Sequence, residues 1–195
     1  MQKNRWKVYD IPHRAIRYAL SELVQETGRT DFSNREEVDT FFLLCSEVFR
    51  ILEIHARDEE AVSLRHLETK LPNSSLRDKE THSRLEKKIQ ELSLLAGNIK
   101  TSSHLGEGKE IWMGEEFYEN LIDFQAQYFL HMREEETETQ AKIHEHFTDE
   151  ELQAHQKEIM ASLDKEDICL WAKFILPNLP EERRKQFEGM LAAFA

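Results

Sequence analysis

Apolar residues in this chain recur at alternating steps of three and four positions, the pattern of helices that bury one face. In the second of four such segments the repeating positions are Phe41, Cys45, Val48, Leu52, His55, Glu59 and Val62. In the fourth they are Phe117, Leu121, Phe124, Tyr128, His131 and Glu135. The first repeats at Tyr9, His13, Ile16, Leu20 and Leu23, and the third, more loosely, at His82, Glu86, Ile89, Leu92 and Ala96. The pattern predicts an all-α, up-down four-helix bundle.

Capping and turn residues set the expected boundaries. The bundle helices are predicted over residues 10–28, 33–70, 76–102 and 109–145, with Asp10 as the first N-cap and Ser33-Asn-Arg-Glu36 as a capping box. A second capping box, Thr148-Asp-Glu-Glu151, opens two or three shorter helices that Pro177 and Pro180 divide. We therefore expect a bundle over residues 1–147 and a C-terminal helical extension over residues 148–195.

Composition narrows the class of protein. The chain has 195 residues, of which 33% are charged, with six glycines and four prolines, and this favours one domain of long helices. The net charge of -12 argues against nucleic acid as a partner, because a phosphate backbone needs a basic face. The sequence shows no membrane span and no signal-peptide pattern at its start, so we expect a cytoplasmic protein. Cys45 and Cys169 are then expected to be buried free thiols.

Three histidine–glutamate pairs share a four-residue spacing, and a lone histidine, His13, lies in the first helix. The pairs are His55 with Glu59, His82 with Glu86, and His131 with Glu135. Residues four apart lie on one helix face, and here they take places where an apolar residue would normally be buried. One pair alone would be an exposed ion pair or a hydrogen-bonded core histidine. Buried ionisable groups on four helices are costly unless they are paired or metal-bound, so together they predict a dinuclear metal site.

Other polar residues are expected to have structural roles or to lie on the surface. Tyr128 precedes His131 by one turn and is expected to pack in the core, although it could donate a hydrogen bond to a ligand. The pair His146 and Glu150 is interrupted by the cap at Thr148. Four further histidines are expected at the bundle end, in loops or on the surface: His66, His104, His144 and His155. An acidic, solvated helix face is expected at Glu134, Glu136 and Glu138.

Imidazole and carboxylate ligands without thiolate suit iron, manganese or zinc, and two bridging carboxylates favour a redox pair of iron ions. Ferritin-like di-iron proteins are disfavoured, because they use Glu-x-x-His and no histidine here has a glutamate three residues before it. The order of the motifs resembles the hemerythrin-like (HHE cation-binding) family over about residues 10–147. The strongest local match is Phe129-Leu-His-Met-Arg-Glu-Glu-Glu136 followed by His146-Phe-Thr-Asp-Glu-Glu-Leu152. That run is similar to the hemerythrin-like domain of an iron-sensing ubiquitin-ligase adaptor.

The resemblance implies a non-haem di-iron centre with an oxo or hydroxo bridge. His13 and His55 would bind one iron, and His82, Glu86 and His131 the other. Glu59 and Glu135 would bridge both. In this assignment every coordination position of the second iron is filled, and one position of the first remains open for O2 or NO. Oxygen carriers of the family have a histidine in place of Glu86, so the additional anion is expected to favour the ferric state.

We therefore expect a protein that binds or senses O2 or NO. A di-iron redox enzyme, such as an oxidase, a peroxidase or an NO-detoxifying enzyme, is an alternative. An interaction module whose fold depends on iron is another. The extension is apolar enough to dock on the bundle, on a second subunit as a homodimer, or on a protein partner, at Ile168, Leu170, Trp171, Phe174, Ile175 and Leu176.

Overall fold

The computed structural model describes residues 5–192, and these form helices and turns without any strand. Helix α1 is Asp10–Arg29 and helix α3 is Leu76–Leu105. Helices α2 and α4 each run through a π-helical turn. Helix α2 comprises Arg35–Asp58, the π turn Glu59–Leu64, and Arg65–Lys70. Helix α4 comprises Glu110–Glu134, the π turn Glu135–Thr139, and Gln140–His146. The prediction of an all-α fold is confirmed.

The first four helices pack in cyclic order, α1 on α2, α2 on α3, α3 on α4 and α4 on α1. The start of α1 lies beside the end of α2, as expected when consecutive helices are antiparallel: the rings of His13 and His55 are 5.1 Å apart. The apolar stripes of the four helices fill the core. Among its fully buried side chains are Ile16, Leu20, Phe41, Leu52, Phe117 and Phe124. Each buried side chain of this size contributes about 1.5–3 kcal/mol to folding.

The helix caps agree with the sequence in one case and differ in two. Thr148 and Glu151 form the predicted capping box at the start of the extension. Helix α2 is capped by Asn34, whose side chain accepts a hydrogen bond from the backbone of Glu36, so the prediction of Ser33 as the cap is wrong. At α1 the N-cap position is Tyr9, and Asp10 is the first helical residue, with its carboxylate bound to Arg14.

The extension consists of α5 (Asp149–Ser162), α6 (Lys165–Ile175), a 3-10 turn (Leu176–Asn178) and α7 (Glu181–Ala192). Helix α6 packs against α1 and α2, and its apolar face joins the bundle core through Trp171, Phe174 and Ile175. The apolar side of the extension thus docks on the bundle. Cys45 is buried as predicted, but Cys169 is exposed, because it lies on the opposite face of α6.

Between residues 5 and 192, no helix combines the length and the apolar character needed to cross a membrane.

Candidate metal centre

Six histidine and glutamate side chains from all four bundle helices meet at one end of the core. They are His13 of α1, His55 and Glu59 of α2, His82 of α3, and His131 and Glu135 of α4. All six are buried, with at most 6% of each residue exposed. The three-four spacing carries them to one level, because each lies on the face of its helix that also supplies the apolar core. Six of the seven side chains that the sequence predicted as ligands are thus brought together.

Glu59 lies between histidines of three helices. Its Oε1 atom is 3.2 Å from Nε2 of His55 and 3.9 Å from Nε2 of His13. Its Oε2 atom turns the other way and lies 3.4 Å from Nε2 of His82. The two oxygens of one carboxylate therefore face two different sets of imidazoles, which is the geometry of a bridging ligand.

Glu135 repeats this arrangement from the opposite side of the bundle. Its Oε2 atom is 3.3 Å from Nε2 of His13. Its Oε1 atom is 3.0 Å from Nε2 of His131 and 3.3 Å from Nε2 of His82. Two groups result, each with two imidazole nitrogens. The first joins His13 and His55 to both carboxylates, and the second joins His82 and His131 to Glu135.

Most of these atoms are buried without a hydrogen-bond partner among the described residues, although they lie close together. The unpartnered atoms are Nε2 of His13, His55 and His131, both carboxylate oxygens of Glu59, and Oε2 of Glu135. Leaving such atoms unsatisfied in a core costs free energy. Two ligands about 2.1 Å from one metal ion, at right angles, lie about 3.0 Å apart, close to the separations found here. The donor set therefore fits metal ions, and the buried group could hold one or more of them.

Two further glutamates fix the orientation of the histidines. Nδ1 of His13 lies 3.0 Å from Oε1 of Glu136, and Nδ1 of His82 lies 3.1 Å from Oε1 of Glu60. When Nδ1 carries the proton and donates it to a carboxylate, the lone pair of Nε2 points to the centre and becomes a stronger ligand. Arg17 holds Glu136 in place through two hydrogen bonds of 2.7 and 3.0 Å.

Glu60 and Glu136 were missed as functional residues, and Glu136 was expected on a solvated face. Each directly follows a glutamate of the buried cluster, and residues one apart on a helix point about 100° away from each other. Both glutamates of the cluster begin a π-helical turn, Glu59–Leu64 in α2 and Glu135–Thr139 in α4. Such turns are frequent at functional sites. The signal in the sequence was a shared run, His55-Ala-Arg-Asp-Glu-Glu60 and His131-Met-Arg-Glu-Glu-Glu136.

Glu86 lies outside the centre, so the structure does not bring this predicted ligand to the others. It is exposed, and Gln90 donates a hydrogen bond to it. The buried stripe of α3 runs through a different set of positions: His82, Leu85, Ile89, Leu92, Ala96 and Ile99. Leu85, only 3% exposed, takes the inward place one turn after His82. The step after His82 is three residues instead of four, which turns Glu86 to solvent.

With Glu86 on the surface, the ligand sets expected for the two metal positions change. His13 and His55 would share one position with Glu59 and Glu135, and His82 and His131 would share the other with Glu135, so Glu86 would close neither position. Glu86 also adds no anion to the centre, so the preference for the ferric state that was expected from its charge has no basis in the structure. Negative charge beside the centre comes instead from Glu60 and Glu136, acting through the imidazole rings of His82 and His13.

The histidines and glutamates of this cluster shift each other's pKa values. Burial alone would lower the pKa of His13, but the nearby carboxylates of Glu135 and Glu136 raise it to about 9. Burial would also lower the pKa of His82, but the carboxylates of Glu135 and Glu59 raise it to about 11. Burial and the charge of Glu135 raise the pKa of Glu59 to about 8. At neutral pH, protons thus balance the carboxylates wherever a metal ion does not.

Aromatic rings border the centre on two sides. Tyr9 stacks on His13 with ring centroids 4.9 Å apart, and its buried hydroxyl has no partner among the described residues. The ring of Tyr128 is buried 6.1 Å from that of His131, which agrees with a packing role. The remaining histidines lie elsewhere: His66 stacks on His155, and His104 contacts Asp39 on the surface.

Two curated proteins are similar to this chain along most of its length. It is 26% identical over 184 residues to F-box/LRR-repeat protein 5 of Bos taurus and 25% identical over 181 residues to F-box/LRR-repeat protein 5 of Mus musculus. These matches cover 93% and 91% of this chain, but only 26% and 25% of the relatives. The chain thus spans about a quarter of the length of the curated relatives that it matches. No protein-family model matches it.

Proposed function

We propose that this chain holds two non-haem iron ions and uses them to bind or sense O2 or NO. The observation that carries this proposal is the position of Glu59 and Glu135, each of which faces histidines on both sides of the centre. Shared carboxylates of this kind support a pair of metal ions. Imidazole and carboxylate ligands without thiolate, together with free coordination positions, are typical of non-haem iron.

The chain's own residues would leave room for a small ligand. The buried side chains would offer four protein ligands to one position and three to the other, fewer than an octahedral ion takes. On one side, His55 and Glu59 border a cavity between the bundle and the extension. Iron ions held here would supply binding and electron exchange with O2 or NO. The surrounding residues would orient the imidazoles and keep bulk water away.

An iron-dependent interaction module is a second candidate, and the position of α6 favours it. The ring of Trp171 contacts that of His55 edge-on, at 6.4 Å between centroids. Asp167 of the same helix binds Arg50 at 3.0 Å. If loss of metal moved His55, the contact with Trp171 would therefore change, and the extension could shift on the bundle. The similarity to two proteins named for an F-box and leucine-rich repeats is compatible with such a role.

The proposal is tested by measuring the metal content and the absorption spectrum of protein loaded with ferrous iron without oxygen and then exposed to air. We expect about two iron ions per chain and near-ultraviolet bands that develop in air. His55→Ala should lose these bands, whereas His104→Ala, at an exposed histidine, should keep them. Protein that retains no iron after reconstitution would contradict the proposal.

Three further observations separate the candidate functions. A spectrum that changes reversibly with O2 or NO would support a sensor or binding protein. Repeated turnover with an added reductant would support a redox enzyme. Capture of a partner that requires iron loading, and that fails after chelation, would support an interaction module.

The outer glutamates give a separate prediction. Glu60→Gln and Glu136→Gln each weaken the acceptor that orients an imidazole, so we expect iron affinity to fall about 10–100-fold. Glu138→Gln is the matched control, because Glu138 is an exposed glutamate of α4 whose carboxylate binds Arg77 instead of a histidine. Competition with a coloured chelator measures the affinities. Equal affinities in all three variants would show that Glu60 and Glu136 do not support the ligands.

A further inference from the structure

A cavity of about 140 Å³ lies where the extension meets the bundle. The extension contributes apolar side chains to its walls, among them Ile159, Met160 and Leu163. On the bundle side it is bordered by Tyr9, His55 and Glu59. An apolar space thus reaches two of the side chains that form the candidate metal centre.

The size of this cavity exceeds what a diatomic gas requires. A water molecule takes about 30 Å³ in the liquid, and a cavity of about 150 Å³ lined by apolar side chains accommodates benzene. The space between bundle and extension, about 140 Å³, is therefore suited to an organic molecule of about six or seven heavy atoms. O2 or NO would leave most of it empty.

The charges around the cavity favour an uncharged occupant. None of the residues found to line it is a lysine or an arginine, so its walls hold no permanently positive side chain for an anion. Of its two histidines, His55 faces Glu59, and His155 stacks on His66. Two acidic residues border it, and the carboxylate of each already faces nitrogen atoms of other side chains. Arg57 donates to Asp58 at 2.9 Å, and Glu59 faces the histidines of the centre. A cation would therefore have to compete with existing pairs.

We propose that this cavity is a binding site for a small, uncharged, largely apolar organic molecule. Binding requires only the walls of the cavity and stands apart from the identity of the metal. The inference deepens the proposed function, on which it rests only for the consequence that the bound molecule lies beside the iron ions, next to His55 and Glu59. Such a position suits a molecule that is sensed at the metal centre.

The test is calorimetric titration of the full chain with toluene, benzoate and benzylammonium, which have similar sizes and different charges. Chelator-treated and iron-loaded protein are titrated separately. We expect toluene to bind both forms with a Kd on the order of 0.1–1 mM, and both charged probes to bind at least about tenfold more weakly. No toluene binding to either form, or equal binding of the three probes, would overturn the inference. Because iron content is measured independently, failure here is distinguishable from failure of the metal proposal.

Two variants locate the site. Met160→Trp places a large ring in the cavity and should abolish toluene binding. Ala161→Trp, at the exposed neighbouring position near the end of α5, should preserve it. Leu163→Ala enlarges the cavity and should shift the preference from toluene toward naphthalene, which provides a second test if Met160→Trp fails to fold. Toluene binding unchanged in both Met160→Trp and Leu163→Ala would overturn the assignment of this cavity.

Discussion

Glu135→Gln is expected to leave the protein folded and unable to hold either metal ion. Glu135 is fully buried and approaches His13, His82 and His131, so its carboxylate belongs to both halves of the centre. Glutamine has the same shape but neither the negative charge nor the second oxygen that a bridging ligand needs. We expect the iron content to fall from about two ions per chain to less than about 0.2, as measured by elemental analysis after anaerobic reconstitution.

Glu86→Gln is the matched control, since the resemblance made Glu86 a ligand and the structure places it on the surface. We expect this variant to retain both iron ions. Circular dichroism establishes that each variant remains helical. If Glu86→Gln lost one iron while Glu135→Gln kept both, the ligand set drawn from the structure would be wrong, and the set implied by the resemblance would be favoured for α3.

The bundle and most of the centre were predictable because they follow from helical periodicity. A three-four stripe identifies the buried face of a helix, and polar residues on such a stripe stand out against the apolar ones. In α2 and α4 the stripe is unambiguous, so His55, Glu59, His131 and Glu135 were correctly placed together. The lone histidine of α1 was found in the same way.

The predictions of site residues and caps failed where helical periodicity allows two positions or gives no information. After His82 the buried stripe continues at either three or four residues, and only packing against the neighbouring helices selects Leu85 over Glu86. The roles of Glu60 and Glu136 depend on contacts between helices, which no spacing within one helix reveals. The cap of α2 was wrong by one residue because Ser33 and Asn34 are both good caps.

Removal of the metal ions is expected to produce the second large effect, a loss of stability. Metal that binds only the folded protein at about 100–1,000 times its Kd stabilises it by about 2.7–4.1 kcal/mol per site. For a chain of this size, each kcal/mol corresponds to about 2–4 °C in Tm. We therefore expect a chelator that removes both ions to lower the Tm by about 10–30 °C, as measured by circular dichroism. An unchanged Tm would contradict a metal centre in the core.

The metal-free protein should also become less stable as the pH rises from 7 to 9. Unfolded histidine has a pKa of about 6.5 and unfolded glutamate about 4.3, so both are largely deprotonated in this range. In the folded protein the pKa of His13 is about 9 and that of Glu59 about 8. The folded state therefore binds more protons than the unfolded state, and its stability is lost as the pH rises through these values.

Each such proton changes the free energy of unfolding by at most about 1.4 kcal/mol per pH unit. Urea denaturation of chelator-treated protein at pH 7 and pH 9 measures this slope. Iron-loaded protein supplies the control, because its ligands have already given up their protons and no such slope is expected between the same two values. Equal slopes with and without iron would mean that metal ions and protons do not compete for the same side chains. The cluster would then be a network of buried ion pairs, and its stability would owe nothing to metal.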